Sequence, residues 1–113
     1  MVERTTDKVA LGFLQDEKYE EFNRYVERQG GVVDLSFSHL RSYDLRKANL
    51  TKANLTGAYL RASDLRALDL SEATLDQASF KDAKISGTLF PRNISAWEIM
   101  LSWKHGTRVR QGL

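Results

Sequence analysis

Every fifth residue between Leu35 and Phe90 is large and apolar. An α-helix repeats its apolar face about every 3.6 residues and a β-strand roughly every 2, so a period of five predicts neither element alone. In an extended triplet, residues i−2 and i lie on one side, and the other two residues of the unit can turn a corner. Units this small bury their apolar residues only by stacking on one another. We therefore expect one shared core made of the repeat positions, which are Leu35, Leu40, Leu45, Leu50, Leu55, Leu60, Leu65, Leu70, Leu75, Phe80, Ile85 and Phe90.

A small residue precedes most of these positions by two. The segments Ala-Asn-Leu-Thr-Lys at 48–52 and Ala-Asn-Leu-Thr-Gly at 53–57 show the unit most clearly. They resemble the A-[DN]-L-x-x motif of the pentapeptide-repeat family, and the resemblance extends over residues 33–90. It implies an all-β solenoid, a right-handed quadrilateral β-helix of about three coils. Because open coil ends expose unpaired backbone groups, we expect an N-terminal helix and a C-terminal helix as caps.

Residues 1–32 are expected to hold a tail and the first capping helix. Residues 1–10 are mostly polar without a period, which predicts a loosely ordered tail. Asp16 is of the residue type that begins helices, and Gly30 with Gly31 is a stop signal, so we expect a helix to about Gln29. Its apolar stripe either covers the first coil or binds a partner. This stripe consists of Tyr19, Phe22, Tyr25 and Val26.

Residues 91–113 follow the last repeat and are expected to form a C-terminal helix and a basic tail. Pro91 ends the period, and Ser95 with Glu98 forms a capping-box pattern. The helix should run from about Ala96 to His105 and end at Gly106. One apolar face should pack on the last coil, and a second should remain outside. The first face consists of Ala96, Ile99, Met100 and Trp103, and the second of Trp97 and Leu101.

The second face predicts a homodimer interface at Trp97 and Leu101, because exposed Trp and Leu side chains mark contact surfaces. Members of the resembled family commonly dimerise through such a helix, so the resemblance implies the same interface. The alternative is that Trp97 folds back on Phe90 and Pro91 within one chain.

Residues twenty apart should stack on the same side of the coils. Arg41, Arg61 and Lys81 would then form a column able to bind anions. Three cations neutralise few phosphates, so we do not expect tight nucleic-acid binding, and a solvated face is the simpler interpretation. Asp44 and Asp64 would also stack, as catalytic carboxylates can. Arg46 and Arg66 follow them at the same corner, which favours a salt-bridged ladder instead.

The rest of the sequence argues against an enzyme. It contains no Cys, and His39 and His105 have no metal-ligand partners at suitable spacing, so we assign no catalytic, cofactor-binding or metal residues. We expect no secretory signal and no membrane span, and hence a cytoplasmic protein. The expected function is a non-enzymatic protein-interaction or structural module with an unidentified protein partner. Two alternatives remain. One is a DNA-mimic protein that binds a topoisomerase, as the quinolone-resistance members of the family do, and the other is a weak nucleic-acid binder.

Overall fold

The computed structural model describes residues 6–112 of the chain. The regular elements in this range are three short helices: α1 (Lys8–Gln15), α2 (Tyr19–Arg28) and α3 (Ala96–His105). The expected all-β solenoid, a right-handed quadrilateral β-helix, is wrong, because residues 6–112 contain no β-strand and no sheet. The repeats are instead a series of turns that pair through isolated single-residue bridges.

The short repeat explains why no strand forms. In each unit from Leu35 to Ile85 a turn closes three residues after the apolar position, as where Ala58 N–H donates to Leu55 O (3.0 Å) and Ser63 N–H to Leu60 O (3.1 Å). Several turns carry a positive φ at the third residue, for example Gly57 (65°) and Ala62 (59°), as in type II turns. The extended part between turns is therefore too short for two consecutive paired residues, and each contact remains a single bridge.

The bridges are parallel and join residues twenty positions apart. Asp34 pairs with Asn54, and Asn54 in turn pairs with Thr74. We define three layers that begin at these residues. A second column of bridges joins His39, Tyr59 and Ser79, a third joins Asp44, Asp64 and Lys84, and a fourth side contributes Asp69 and Leu89.

The apolar repeat residues lie between the four sides of these layers. The ten from Leu35 to Phe80 are at most 1% exposed, whereas Ile85 and Phe90 are half-buried. Both half-buried residues belong to the last layer. They follow residues 77–83 of that layer, to which α3 and the tail make hydrogen bonds. The rings of Phe80 and Phe90 stack with centroids 5.5 Å apart, which keeps Phe90 against the core.

The N-terminal segment forms two helices, where the sequence predicted one. Asp7 caps α1 by accepting hydrogen bonds from the amides of Val9 and Ala10 (3.1 Å each). Asp16 is the C-cap of α1 and not the N-cap of α2, so that prediction is wrong. The predicted tail, residues 1–10, is helical from Lys8, and residues 1–5 lie outside the described residues. The spacing of Asp7, Ala10 and Leu14 is the sequence signal for α1.

Both N-terminal helices lie on the first layer. Asp7 N–H donates to Asp34 O (2.8 Å), and the Tyr19 hydroxyl donates to Asp44 O. Asn23 of α2 donates to Lys47 O (3.0 Å) and accepts from the backbone N–H of residue 49 (2.7 Å). The Asn23 side chain thus makes the two hydrogen bonds, to a backbone carbonyl and from a backbone N–H, that a neighbouring layer would make at this edge of the first layer.

The C-terminal segment covers the opposite end of the stack. The predicted helix Ala96–His105 is confirmed, with the Ser95 side chain accepting from Glu98 N–H and Gly106 in the left-handed region (φ 74°). Beyond α3, Val109 N–H donates to Ala78 O (2.8 Å) and Val109 O accepts from Gln77 N–H (2.7 Å). The tail thus forms a partial fourth layer. The N-terminal helices cover one end of the stack and the C-terminal segment covers the other, and both are attached by hydrogen bonds.

Candidate functional site

Two polar side chains of α3, Glu98 and Ser102, are buried. Ser102 is fully buried, and its hydroxyl accepts a hydrogen bond from Phe80 N–H (3.1 Å). Glu98 is 8% exposed and accepts from Arg110 N–H (2.9 Å) and from the Arg110 guanidinium (2.7 Å). The guanidinium holds the pKa of Glu98 below its usual range. Ser102 thus binds a backbone amide of the last layer and Glu98 binds the tail, so α3 buries two polar side chains where a surface helix usually buries apolar ones.

The apolar residues of α3 are divided between its two sides, because Ile99 packs against the core while Trp97 and Met100 point away from the stack. Trp97 is 69% and Met100 49% exposed, and Leu101 is half-buried. Of the face predicted to pack on the last layer, Ile99 does so, but the prediction is wrong for Ala96 and Met100, which are exposed. The alternative that Trp97 folds back within the chain is also wrong. Trp103 is partly exposed and its indole N–H donates to Ala83 O (2.9 Å). We refer to Trp97, Met100 and Leu101 as the α3 outer face.

The tail after α3 is held by residues that sequence reasoning missed. Gln111 accepts from Leu75 N–H (2.7 Å), while its own N–H donates to the Asp76 carboxylate (3.1 Å). Arg110 binds Glu98, as described above. Residues 107–112 have no hydrophobic period, so no signal in the sequence indicates this ordered tail.

The structure brings Arg41, Arg61 and Lys81 together on the second side of the stack. Ser42 N–H donates to Arg61 O and Ala62 N–H donates to Lys81 O (2.9 Å each), which keeps the three layers in register at the cations. None of the three forms an ion pair with any residue of the described range 6–112. We refer to them as the basic column.

A groove of about 350 Å³ lies on the same side of the stack as the basic column, although none of the three column residues lines it. The rings of His39 and Tyr59 face it with centroids 6.1 Å apart, and Arg108 reaches it from the tail. The sequence did not indicate Arg108, because only the folded tail brings it to this side. The complete lining is Phe37, His39, Gly57, Tyr59, Gln77, Ser79 and Arg108.

The third side carries the salt-bridged ladder, as predicted from the sequence. Arg46 contacts Asp44 at 2.8 Å and Asp64 of the next layer at 3.2 Å, and Arg66 contacts Asp64 at 2.7 Å. The hydrogen bonds from Arg46 and Arg66 hold the pKa values of Asp44 and Asp64 below their usual range. Each carboxylate is thus neutralised by a guanidinium, so the ladder supplies neither a free acid pair nor an acidic stripe.

The described residues hold no group of three or more His, Asp or Glu side chains placed to bind a metal ion. The three helices are also too short and too polar for any of them to cross a bilayer, as far as residues 6–112 show.

The comparisons with known proteins agree with the repeat pattern. The model of the family described as pentapeptide repeats matches residues 33–66 and 53–90, with eight copies of the repeat. Together the two matches cover just over half of the 113-residue chain and confirm the resemblance drawn from the motif. Neither the curated proteins nor the solved structures contain a match to the chain.

Proposed function

The chain belongs to the pentapeptide-repeat family, and on that premise we propose that it is a non-catalytic interaction module that dimerises through the α3 outer face. The stack supplies a scaffold whose two ends are covered by the N-terminal helices and by the tail. The stacked carboxylates Asp44 and Asp64 are ion-paired, which argues against an acid–base role. Since the protein contains no Cys, it needs no disulfide, which is consistent with the reducing cytoplasm.

The observation that carries the proposal is that α3 exposes two of its large apolar side chains, Trp97 and Met100. A helix that buries Glu98 and Ser102 while exposing Trp97 and Met100 leaves its apolar surface available for another molecule. Trp and Met are enriched at the centres of protein interfaces, and contiguous exposed apolar patches mark contact sites.

A second copy of this chain is a suitable partner for this face. A two-fold axis beside α3 would place the Trp97 rings of the two copies against each other, so that each covers the partner's apolar surface. The helix is ten residues long, or about 15 Å, which limits the area that it can bury. We therefore expect a dimer of micromolar rather than nanomolar affinity.

Sedimentation equilibrium of the intact chain and of Trp97→Glu tests the proposal. We expect the intact chain to dimerise at high micromolar concentration and Trp97→Glu to be a folded monomer, because the two-fold interface would then bury two carboxylates against each other. Val32→Glu is the matched control, since Val32 is 53% exposed and lies far from α3 in the sequence.

A monomeric intact chain at high micromolar concentration would refute the dimer. Dimerisation of Trp97→Glu with unchanged affinity would show that the interface lies elsewhere.

A further inference from the structure

The second and third sides of the stack carry arginines at equivalent positions with different neighbours. On the third side each arginine follows an aspartate, as Asp-Leu-Arg at 44–46 and 64–66. On the second side the aspartate is replaced, giving His-Leu-Arg at 39–41 and Tyr-Leu-Arg at 59–61. The third-side arginines are ion-paired, whereas Arg41 and Arg61 form no ion pair within residues 6–112. An aromatic residue thus stands two positions before Arg41 and before Arg61, whereas an aspartate that forms an ion pair stands two positions before Arg46 and before Arg66.

The basic column concentrates positive charge. Its members come from successive layers, and adjacent chain segments lie about 4.8 Å apart in the bridging direction, so the cations repel one another. The segments 37–42, 57–62 and 77–82 contain one acidic residue, Asp82. Arg108 adds a further cation at the groove. A bound polyanion would relieve this repulsion, whereas no residue of the described range 6–112 forms an ion pair with any of the three cations.

The groove adds aromatic side chains to the positive charge of the basic column. Its lining includes the rings of Phe37, His39 and Tyr59. The bridge between His39 and Tyr59 fixes their backbones in register, and the two ring centroids lie 6.1 Å apart. In the first two layers the aromatic residue precedes the arginine by two residues, or about 6.6 Å, and in the third layer Ser79 takes this position. A single ligand could therefore place a planar aromatic ring in the groove and a negatively charged group against the cations of the basic column.

We propose that this side of the stack binds nucleotide units, with a base against the His39 and Tyr59 rings and its phosphates on Arg41, Arg61, Lys81 and Arg108. Nucleotides combine a flat π-system with a phosphate at short distance, and proteins bind single strands by joining ring stacking to a basic groove. An acidic peptide shares the negative charge but does not use the rings in this way. The ligand is either a free nucleotide or a single strand.

Fluorescence anisotropy with a labelled oligothymidylate of about twelve nucleotides measures binding to a strand. Competition by unlabelled thymidine monophosphate tests the free nucleotide. Competition by polyphosphate and by polyglutamate, each matched in charge to the oligonucleotide, tests charge alone. With three to four phosphates bound, the slope of log K against log salt should be about −2 to −3.

The charge variant is Arg41→Gln combined with Arg61→Gln. We expect it to weaken oligonucleotide binding more than tenfold and to make the salt slope about 1.4 less steep. Lys47→Gln combined with Lys52→Gln is the matched control. Both lysines are exposed, both lie outside the groove and the basic column, and the change in net charge is the same. The control should retain the affinity of the intact protein.

The ring variant is Tyr59→Leu, which keeps bulk but removes the aromatic face. Loss of one stacking contact should weaken binding about 5- to 150-fold, with the salt slope unchanged. If this variant does not fold, chemical shifts of the Tyr59 ring in the intact protein replace it, since stacking should move them on addition of oligonucleotide.

Tight competition by thymidine monophosphate would identify a free nucleotide as the ligand, and its failure to compete would identify a strand. Three outcomes overturn the proposal: no binding at low salt, equal loss of affinity in the lysine control, or polyphosphate or polyglutamate competing as well as the oligonucleotide while Tyr59→Leu binds normally.

Discussion

Leu60→Ala tests whether the middle layer is the centre of the core. Leu60 is fully buried, with the buried repeat residues Leu40 and Phe80 at the equivalent positions of the layers before and after it. The substitution removes three side-chain carbons and leaves a cavity between these two neighbours.

The surrounding backbone limits how far this cavity can close. Leu60 N–H donates to Ser79 O (2.8 Å), and Leu60 O accepts from both the amide (3.1 Å) and the hydroxyl (2.7 Å) of Ser63. Because the layers are held in register by such bonds, we expect a cost in the upper part of the range for buried Leu→Ala changes, about 3–5 kcal/mol. For a chain of this length that corresponds to a fall in Tm of about 12–20 °C.

The assay is urea unfolding followed by tryptophan fluorescence, with variants compared at one protein concentration because dimerisation would make stability concentration-dependent. Leu89→Ala is the matched control, since Leu89 lies in the same repeats but is 56% exposed. It should change the free energy of unfolding by less than about 0.5 kcal/mol. A loss of this small size for Leu60→Ala would show that Leu60 is not part of a close-packed interior.

Three further predictions concern the ends, the ladder and one turn. Deletion of residues 1–29 uncovers the first layer, so the truncated chain should aggregate or lose cooperative unfolding; a soluble chain with an intact sharp transition would contradict the capping role. The pKa of Asp64 is lowered in the folded state by Arg66, so its stabilising contribution is present above the unfolded pKa of about 3.9 and is lost as the pH falls below it. As the pH is lowered through this region, the unfolding midpoint of Asp64→Asn should therefore fall less steeply than that of the intact protein. Identical pH profiles for the two proteins would show that the Asp64–Arg66 ion pair does not cause the loss of stability in acid. Gly57→Ala should cost about 1–3 kcal/mol because the new Cβ collides with the Phe37 ring. The double variant with Phe37→Ala should remove this collision in a double-mutant cycle, and additive losses would show that the ring is not responsible.

The sequence predicted α3 accurately because its signals are local. Ser95 and Gly106 act on backbone groups within one turn of the helix, so residue type and spacing were sufficient. The same kind of signal exists at Asp7, but the polar, non-periodic residues around it favour a tail over a helix in the sequence. Asp16 was assigned to the wrong helix because an acidic residue between two helices serves as either kind of boundary.

The expectation of β-strands failed for a different reason. The resemblance correctly identified the family, and residues twenty apart do pair. A turn in every repeat limits each pairing to a single bridge, so the regular strands implied by the fold type do not form within residues 6–112. The salt-bridged ladder could be predicted because its partners are two residues apart or one period apart.

The sequence by itself determined which residues share a side of the stack, because the spacing of the Leu positions is periodic and each repeat is short. That periodicity placed Arg41, Arg61 and Lys81 in one column and Asp44 and Asp64 in another. Only the tertiary structure decided what lies beside each column and which side of α3 faces outward. Ser102 turns inward and the tail passes along the last layer because both satisfy backbone groups at its open end. Glu98 in turn binds Arg110 of that tail, and the same tail brings Arg108 to the groove. Those contacts join residues far apart in the chain, and no local pattern encodes them.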